Sequence, residues 1–291
     1  MSPDSNGQAG HKGLRVLGAL RRECRHYARL HEDLREPLAV LERLAALLVK
    51  LSATIAVPPV VRSEEVPRPR QQPALLGFAP EAGSAYVACI TAILDDPCWQ
   101  KALPGTADRD TLASAITEFS LAFLHSPSPT ERRLRAAMGA EAAEAAATAL
   151  RLASVPLYLR AVEELGRLDL SLWNSGRCPR CGERASYARL TSDPARRFLF
   201  CSRCWGEWEY PRIGCVACGS QDPQRLGYFY GEEDRAHRVY TCEQGHGYLK
   251  VTDERAEGRR VSPLVEDYVT SRLDEEAIQR GYANASPSNF L

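Results

Sequence analysis

Apolar side chains recur at three- and four-residue steps through the first half of the chain, and further along that spacing gives way to alternation. Leu41, Leu44, Leu48 and Leu51 mark one face of a helix over Pro37–Val57. Glu42, Arg43 and Lys50 interrupt this run, which makes it an amphipathic helix and not a membrane span of about 20 uncharged residues. The same spacing predicts helices over Leu14–Leu34, Ser84–Leu94 and Leu112–Leu124. Thr130–Ala153 is rich in Ala and Glu, both strong helix formers. The run Ser126-Pro127-Ser128-Pro129 breaks the pattern ahead of it, and Pro156 is expected to open one more short helix to Leu168. Residues 57–83 carry six prolines and read as a long loop, and residues 1–12, small and polar, read as disordered. The expectation is an all-α helical domain over 13–172.

The pattern changes at Trp173. Short strand-like runs appear at Arg197–Phe200, Arg225–Tyr230, Arg238–Thr241 and Gly247–Val251, set between cysteine-bearing turns. After Arg260 helical spacing returns, with Val265, Val269 and Leu273 on one face. The fold class expected is α+β: a helical domain, two tandem rubredoxin-like or zinc-ribbon modules over 173–212 and 213–258, and a C-terminal helix and tail over 259–291.

The turns between those strands carry the chemistry. Three Cys-x-x-Cys pairs stand inside 41 residues, Cys178/Cys181, Cys201/Cys204 and Cys215/Cys218, and Cys242 follows at the head of Cys-Glu-Gln-Gly-His. A tetrahedral metal takes four ligands, two from each of two tight turns. Nineteen residues separate Cys181 from Cys201 and 23 separate Cys218 from Cys242, room for a hairpin in each case; the ten between Cys204 and Cys215 suit a connector. Chain order therefore predicts two metal ions, one held by Cys178, Cys181, Cys201 and Cys204, the other by Cys215, Cys218, Cys242 and His246. His246 enters because Gly245 stands where a fourth pair would end, and the longer imidazole arm can close a set of three sulfurs. His237 is the competing ligand. Four sulfurs suit zinc or a single iron equally, and an imidazole tilts the second site to zinc.

Composition narrows the partners. The chain has 291 residues, 44% hydrophobic, and zero formal net charge. Residues 173–255 hold 13 Arg/Lys against 11 Asp/Glu, a poor electrostatic footprint for nucleic acid. The N-terminal run MSPDSNGQAGHKG has no apolar h-region. Paired cysteines at chelating spacing in a long chain favour metal over disulfides, so a cytoplasmic protein is expected. Cys24, Cys89 and Cys98 have no partner at chelating spacing and read as buried structural thiols. No Gly-rich phosphate loop, His-Glu-x-x-His or nucleophile elbow is present, and a four-ligand site leaves no open position for catalysis. The expectation is a protein that is not an enzyme.

From Trp173 to Lys250 the chain resembles the FdhE family of formate dehydrogenase accessory proteins. The matching pieces are Trp173 with Cys178-Pro-x-Cys-Gly, then Phe200-Cys201-Ser-x-Cys204 with Glu207-Trp208, then Arg212 and Cys215-x-x-Cys218, with Tyr248-Leu249-Lys250 and the terminal Gln279-Arg280-Gly281-Tyr282. The departure is Gly245, where the family carries its eighth cysteine. The resemblance implies an assembly factor that binds the catalytic subunit of a formate dehydrogenase and helps it become active, with Trp205, Trp208 and Tyr210 as candidate anchors. A redox protein with rubredoxin-like iron and a nucleic-acid-binding ribbon are the alternatives. The client and the oligomeric state, a homodimer included, stay open.

Overall fold

A computed structural model describes residues 11–56, 60–62, 76–97, 118, 124, 127–166, 168–192, 194–231 and 234–286. Cys98, residues 1–10 and nearly all of the helix expected over Leu112–Leu124 lie outside the described residues. The described residues divide into two compact units, those up to 166 and those from 168 onward. The helix-then-sheet order expected of an α+β chain is present.

The first unit is helical. Its described elements are α1 (His11–Leu30), α2 (Arg35–Thr54), α3 (Gly83–Leu94), α4 (Pro127–Met138) and α5 (Ala140–Leu165). A two-stranded ladder, β1 (Val60–Arg62) with β2 (Leu76–Phe78), pairs Val60 with Phe78. Helix α5 packs against α2, α3 and α4. Ala146, Ala149, Leu150, Ala153 and Leu157 are all buried in it, since a helix covered on several sides needs apolar residues all round.

Two boundaries differ from the sequence reading. The predicted helix Thr130–Ala153 is split at Gly139, whose φ of 81° costs glycine little and others much. Pro156, expected to open a helix, lies inside α5. Nearby carbonyls of α5 accept side-chain hydrogen bonds: Ser154 Oγ donates to Arg151 O at 2.7 Å and Tyr86 Oη to Leu150 O at 2.7 Å. Burial among three helices outweighs the local cost of proline. Cys24 and Cys89 are buried, and burial pushes each thiol up to about 12, as structural thiols should be.

The second unit is built on one mixed sheet. Its strands are β3 (Tyr187–Leu190), β4 (Arg197–Phe200), β5 (Glu207–Tyr210), β6 (Leu226–Gly231), β7 (Asp234–Cys242), β8 (Gly247–Asp253) and β9 (Ala283–Asn284). The order is β5-β4-β3-β8-β7-β6, with β9 on β8. Strands β3–β5 and β6–β8 are two antiparallel meanders. They join where β3 runs parallel to β8, Ala188 opposite Val251, so the two halves share one sheet. The sequence reading missed β3 and β5. In β3 all four residues are buried, Arg189 among them, because its guanidinium pairs with Glu207 at 2.6 Å and Glu254 at 3.1 Å.

After β8 come a short turn of helix, α6 (Glu254–Glu257), then α7 (Pro263–Val269) and α8 (Ser271–Gln279). The single C-terminal helix expected is thus two, parted at Thr270, whose hydroxyl donates to Glu266 O at 2.6 Å. Val239 and Tyr248 of the sheet pack with Leu273 and Ala277 of α8.

Candidate metal centres

Two groups of thiols form at the ends of the meanders. Cys178, Cys181, Cys201 and Cys204 bring their sulfurs within 4.8 Å of one another, and so do Cys215, Cys218 and Cys242. Cys178 Sγ lies 3.4 Å from Cys204 Sγ, Cys181 Sγ 3.4 Å from Cys201 Sγ, and Cys218 Sγ 3.7 Å from Cys242 Sγ. These separations are far beyond an S–S bond of about 2.05 Å and close to the edge of a tetrahedron with metal–sulfur bonds of about 2.3 Å. The donor sets fit a tetrahedral metal ion.

The knuckles are built alike. Cys178 N donates to Glu183 O at 2.7 Å and Gly182 N to Cys178 O at 2.9 Å; Cys215 N donates to Ser220 O at 2.8 Å and Gly219 N to Cys215 O at 2.9 Å. Cys201 N donates to Gly206 O at 3.0 Å in the same register. The residue after the second cysteine takes a positive φ each time: 74° at Gly182, 75° at Gly219 and 51° at Trp205. That turn frees backbone N–H groups to face sulfur.

The first group is closed and fully buried. Burial pushes the Cys181 and Cys201 thiols well up, whereas hydrogen bonds from Cys178, Cys181 and Cys201 hold Cys204 well below the usual thiol range. A divalent cation would displace protons from such thiols on binding. Arg180 assists. Its Nε and Nη1 are buried with no hydrogen-bond partner, and a Cβ at Gly206 would meet Nη1 at 2.3 Å and Cys204 Sγ at 3.1 Å. Gly206 therefore leaves the space that sets a guanidinium beside the sulfur. Sequence reasoning passed over both residues, though a glycine two places after a knuckle was a readable signal.

The second group is more open. Cys215 is buried and its thiol is raised to about 11 by that burial, while Cys218 is exposed. Burial raises Cys242 too, but the backbone N–H groups of Gly245 and Gln244, together with hydrogen bonds from Cys215 and Cys218, outweigh it and the thiol comes out lowered. Gly245 N reaches Cys242 Sγ at 3.4 Å. Arg197, buried at 2% exposure, donates from Nη1 to Gly214 O at 3.0 Å and stacks over Tyr210 and Tyr240. It ties the connector between the two halves to β4.

His246 was expected as the fourth ligand, and the structure does not bring it into the group. It is exposed, with φ of 46°, which puts it in the same slot as Gly182, Gly219 and Trp205. The ligand slot of that knuckle belongs to Gly245. His237 is occupied elsewhere: its ring pairs with Asp234 at 2.7 Å and with Glu266. Burial lowers its pKa, but those two carboxylates outweigh it and lift the imidazole to about 10. Trp205, Trp208 and Tyr210, candidate anchors with ribbon core as the alternative and core the expectation for at least one of the tryptophans, are all buried. Trp208 Nε1 donates to Ser175 O at 2.9 Å and Tyr210 Oη to Cys215 O at 3.0 Å, so these rings are core that holds the knuckles. Among the described residues no helix is long and apolar enough to cross a membrane.

No family model matches the chain. Among curated proteins it is 35% identical over 122 residues to a "Protein FdhE homolog" of Aquifex aeolicus, covering 41% of this chain and 42% of that one. It is 29% identical over 120 residues to the one from Shewanella oneidensis, covering 39% and 38%, and 30% identical over 123 residues to the one from Pseudomonas aeruginosa, covering 39% of each. The chain thus spans about two fifths of the length of the curated relatives it matches. Among solved structures the crystal structure of the FdhE protein from Pseudomonas aeruginosa superposes with a TM-score of 0.56 at 21% identity, covering 100% of this chain and 98% of that one. That likeness is one of fold.

Proposed function

With the FdhE family, which these relatives support, as premise, we propose that the chain is a formate dehydrogenase accessory protein: it binds the catalytic subunit of that enzyme and promotes its maturation, and it is not itself an enzyme. The observation that carries this reading is the pair of thiol-bearing knuckle sets on one rigid sheet, in a chain whose matched relatives bear the FdhE name. The ligands proposed are Cys178, Cys181, Cys201 and Cys204 at the first centre and Cys215, Cys218 and Cys242 at the second. Zinc or iron would supply structural cross-links there, pinning the knuckles that carry β3–β5 and β6–β8. Protein contact in the cytoplasm, and not electron transfer, is the role this reading assigns. The test is co-isolation: the tagged full chain, expressed in its own host, should retain a formate dehydrogenase catalytic subunit. Full formate dehydrogenase activity in a strain lacking the gene would overturn it.

A further inference from the structure

The fourth knuckle keeps its backbone and lacks its sulfur. Counting from the first cysteine, the positive-φ residue comes fourth after Cys178, Cys201 and Cys215, and His246 comes fourth after Cys242 with φ of 46°. The place just before it is Cys181, Cys204 and Cys218 in three knuckles, and Gly245 in the last. Position 245 still faces the cluster: a Cβ built there would stand 3.1 Å from both Cβ and Sγ of Cys218. The N–H of Gly245 still donates to Cys242 Sγ. Cys218 and residues 243–246 are exposed, so the corner without sulfur opens to solvent. At the first centre the corresponding corner is Cys204, fully buried.

We propose that the second centre is a three-thiolate metal site whose fourth coordination position, at Gly245, is open and accepts an exogenous thiolate. Three protein ligands with one position free is the pattern by which zinc sites admit an outside donor, and a metal already bound by three sulfurs favours a soft fourth one. Glycine leaves the approach unobstructed, where a side chain that brings no ligand would crowd Cys218. The donor is either a small thiol or the cysteine of a docked polypeptide; both offer the same sulfur. The inference rests on the three cysteines being ligands, as proposed above.

Cobalt(II) loading of the full chain tests it, because cobalt–thiolate absorption counts sulfurs. Two equivalents should bind. Adding 2-mercaptoethanol, or separately the peptide Gly-Gly-Cys-Gly-Gly, should raise the charge-transfer intensity of the second cobalt by about a third, three sulfurs becoming four. Saturation by either thiol supports the open position, and at least tenfold tighter peptide binding assigns the donor to a polypeptide. Gly245→Cys should show the four-sulfur spectrum from the start and ignore added thiol; if that variant does not fold, the wild-type titration still decides. His246→Ala should bind both cobalt ions and respond as the wild type does. A second cobalt blind to both thiols, or its loss in His246→Ala, overturns the open position alone. Failure to bind a second equivalent overturns the ligand reading along with it. Neither result touches client binding, which co-isolation tests.

Discussion

Four buried sulfurs close the first centre, whereas three sulfurs, one of them exposed, leave the second open at Gly245. The backbone turns are the same. What differs is the frame around them. Strands β3–β5 are held at their knuckle end by sulfur, with Trp205 and Trp208 packed beside it. Strands β7 and β8 are held by the C-terminal helices as well. Lys250 Nζ pairs with Asp267 at 2.9 Å and Asp274 at 2.6 Å, Tyr248 Oη donates to Asp274 Oδ1 at 2.8 Å, and His237 meets Glu266 of α7. Strand β3 shares in that frame through Arg189 on Glu254 and its seam with β8, but β4 and β5 lie on its far side. Strands fixed by two means can lose a metal ligand and keep their shape; strands fixed by one cannot.

The largest effect expected follows directly. Cys204→Ser should release the first metal and unfold β4 and β5, because a structural zinc contributes about 10–16 kcal/mol of apparent folding free energy. Cys242→Ser should release the second metal and leave amide protection of β7 and β8 in place. Hydrogen exchange with metal analysis reads both. Equal collapse of the two halves would break the contrast.

Next comes the frame itself. Lys250→Ala would strand two buried carboxylates, at a cost of about 3–5 kcal/mol, measured by chemical denaturation of the metal-loaded chain. If the second half leaned on metal as the first does, this change would cost far less.

The helical half and the first centre were open to reading from the sequence because each rests on local signals: periodicity for Leu41, Leu44, Leu48 and Leu51, and chelating spacing for Cys178 to Cys204. Strand β3 was not, since Arg189 reads as polar until Glu207 and Glu254, far along the chain, are seen to pair with it. The continuous sheet was not, since the parallel seam of β3 on β8 joins residues some sixty positions apart. His246 stands outside the three-thiol group because one residue of register in a tight turn decides which side chain faces the sulfurs, and φ shows that register. For Trp205, Trp208 and Tyr210 anchor and core both stayed open, because aromatic composition does not distinguish core from surface.

The pH profile sharpens the same contrast. His237 has its pKa raised from 6.5 to about 10, so the charged imidazole stabilises the native state. That contribution is complete below pH 6.5 and is lost as pH rises through about 10. Asp234, lowered by His237 against its own burial, works the opposite way and loses its contribution only in acid. Protection of β7 should therefore decline from neutral pH to pH 10 by about 1–3 kcal/mol, and His237→Gln should flatten the decline. Protection of β4 and β5 should not follow it.

The smallest effect separates the two knuckle slots most cleanly. Trp205 and His246 both hold a positive φ, a conformation costing a non-glycine residue about 1–2 kcal/mol. At Trp205 a buried ring compensates; at His246 the side chain is exposed, and the hydrogen bond that its carbonyl accepts from Ala283 N at 2.7 Å would survive in glycine. His246→Gly should therefore stabilise the loaded protein by about 0.5 kcal/mol once the extra freedom of glycine in the unfolded chain is counted. Metal content should stay at two equivalents. A metal ligand would behave in the opposite manner, losing stability and one equivalent together, so a single thermal melt beside a metal assay decides whether this histidine shapes the turn or binds the ion.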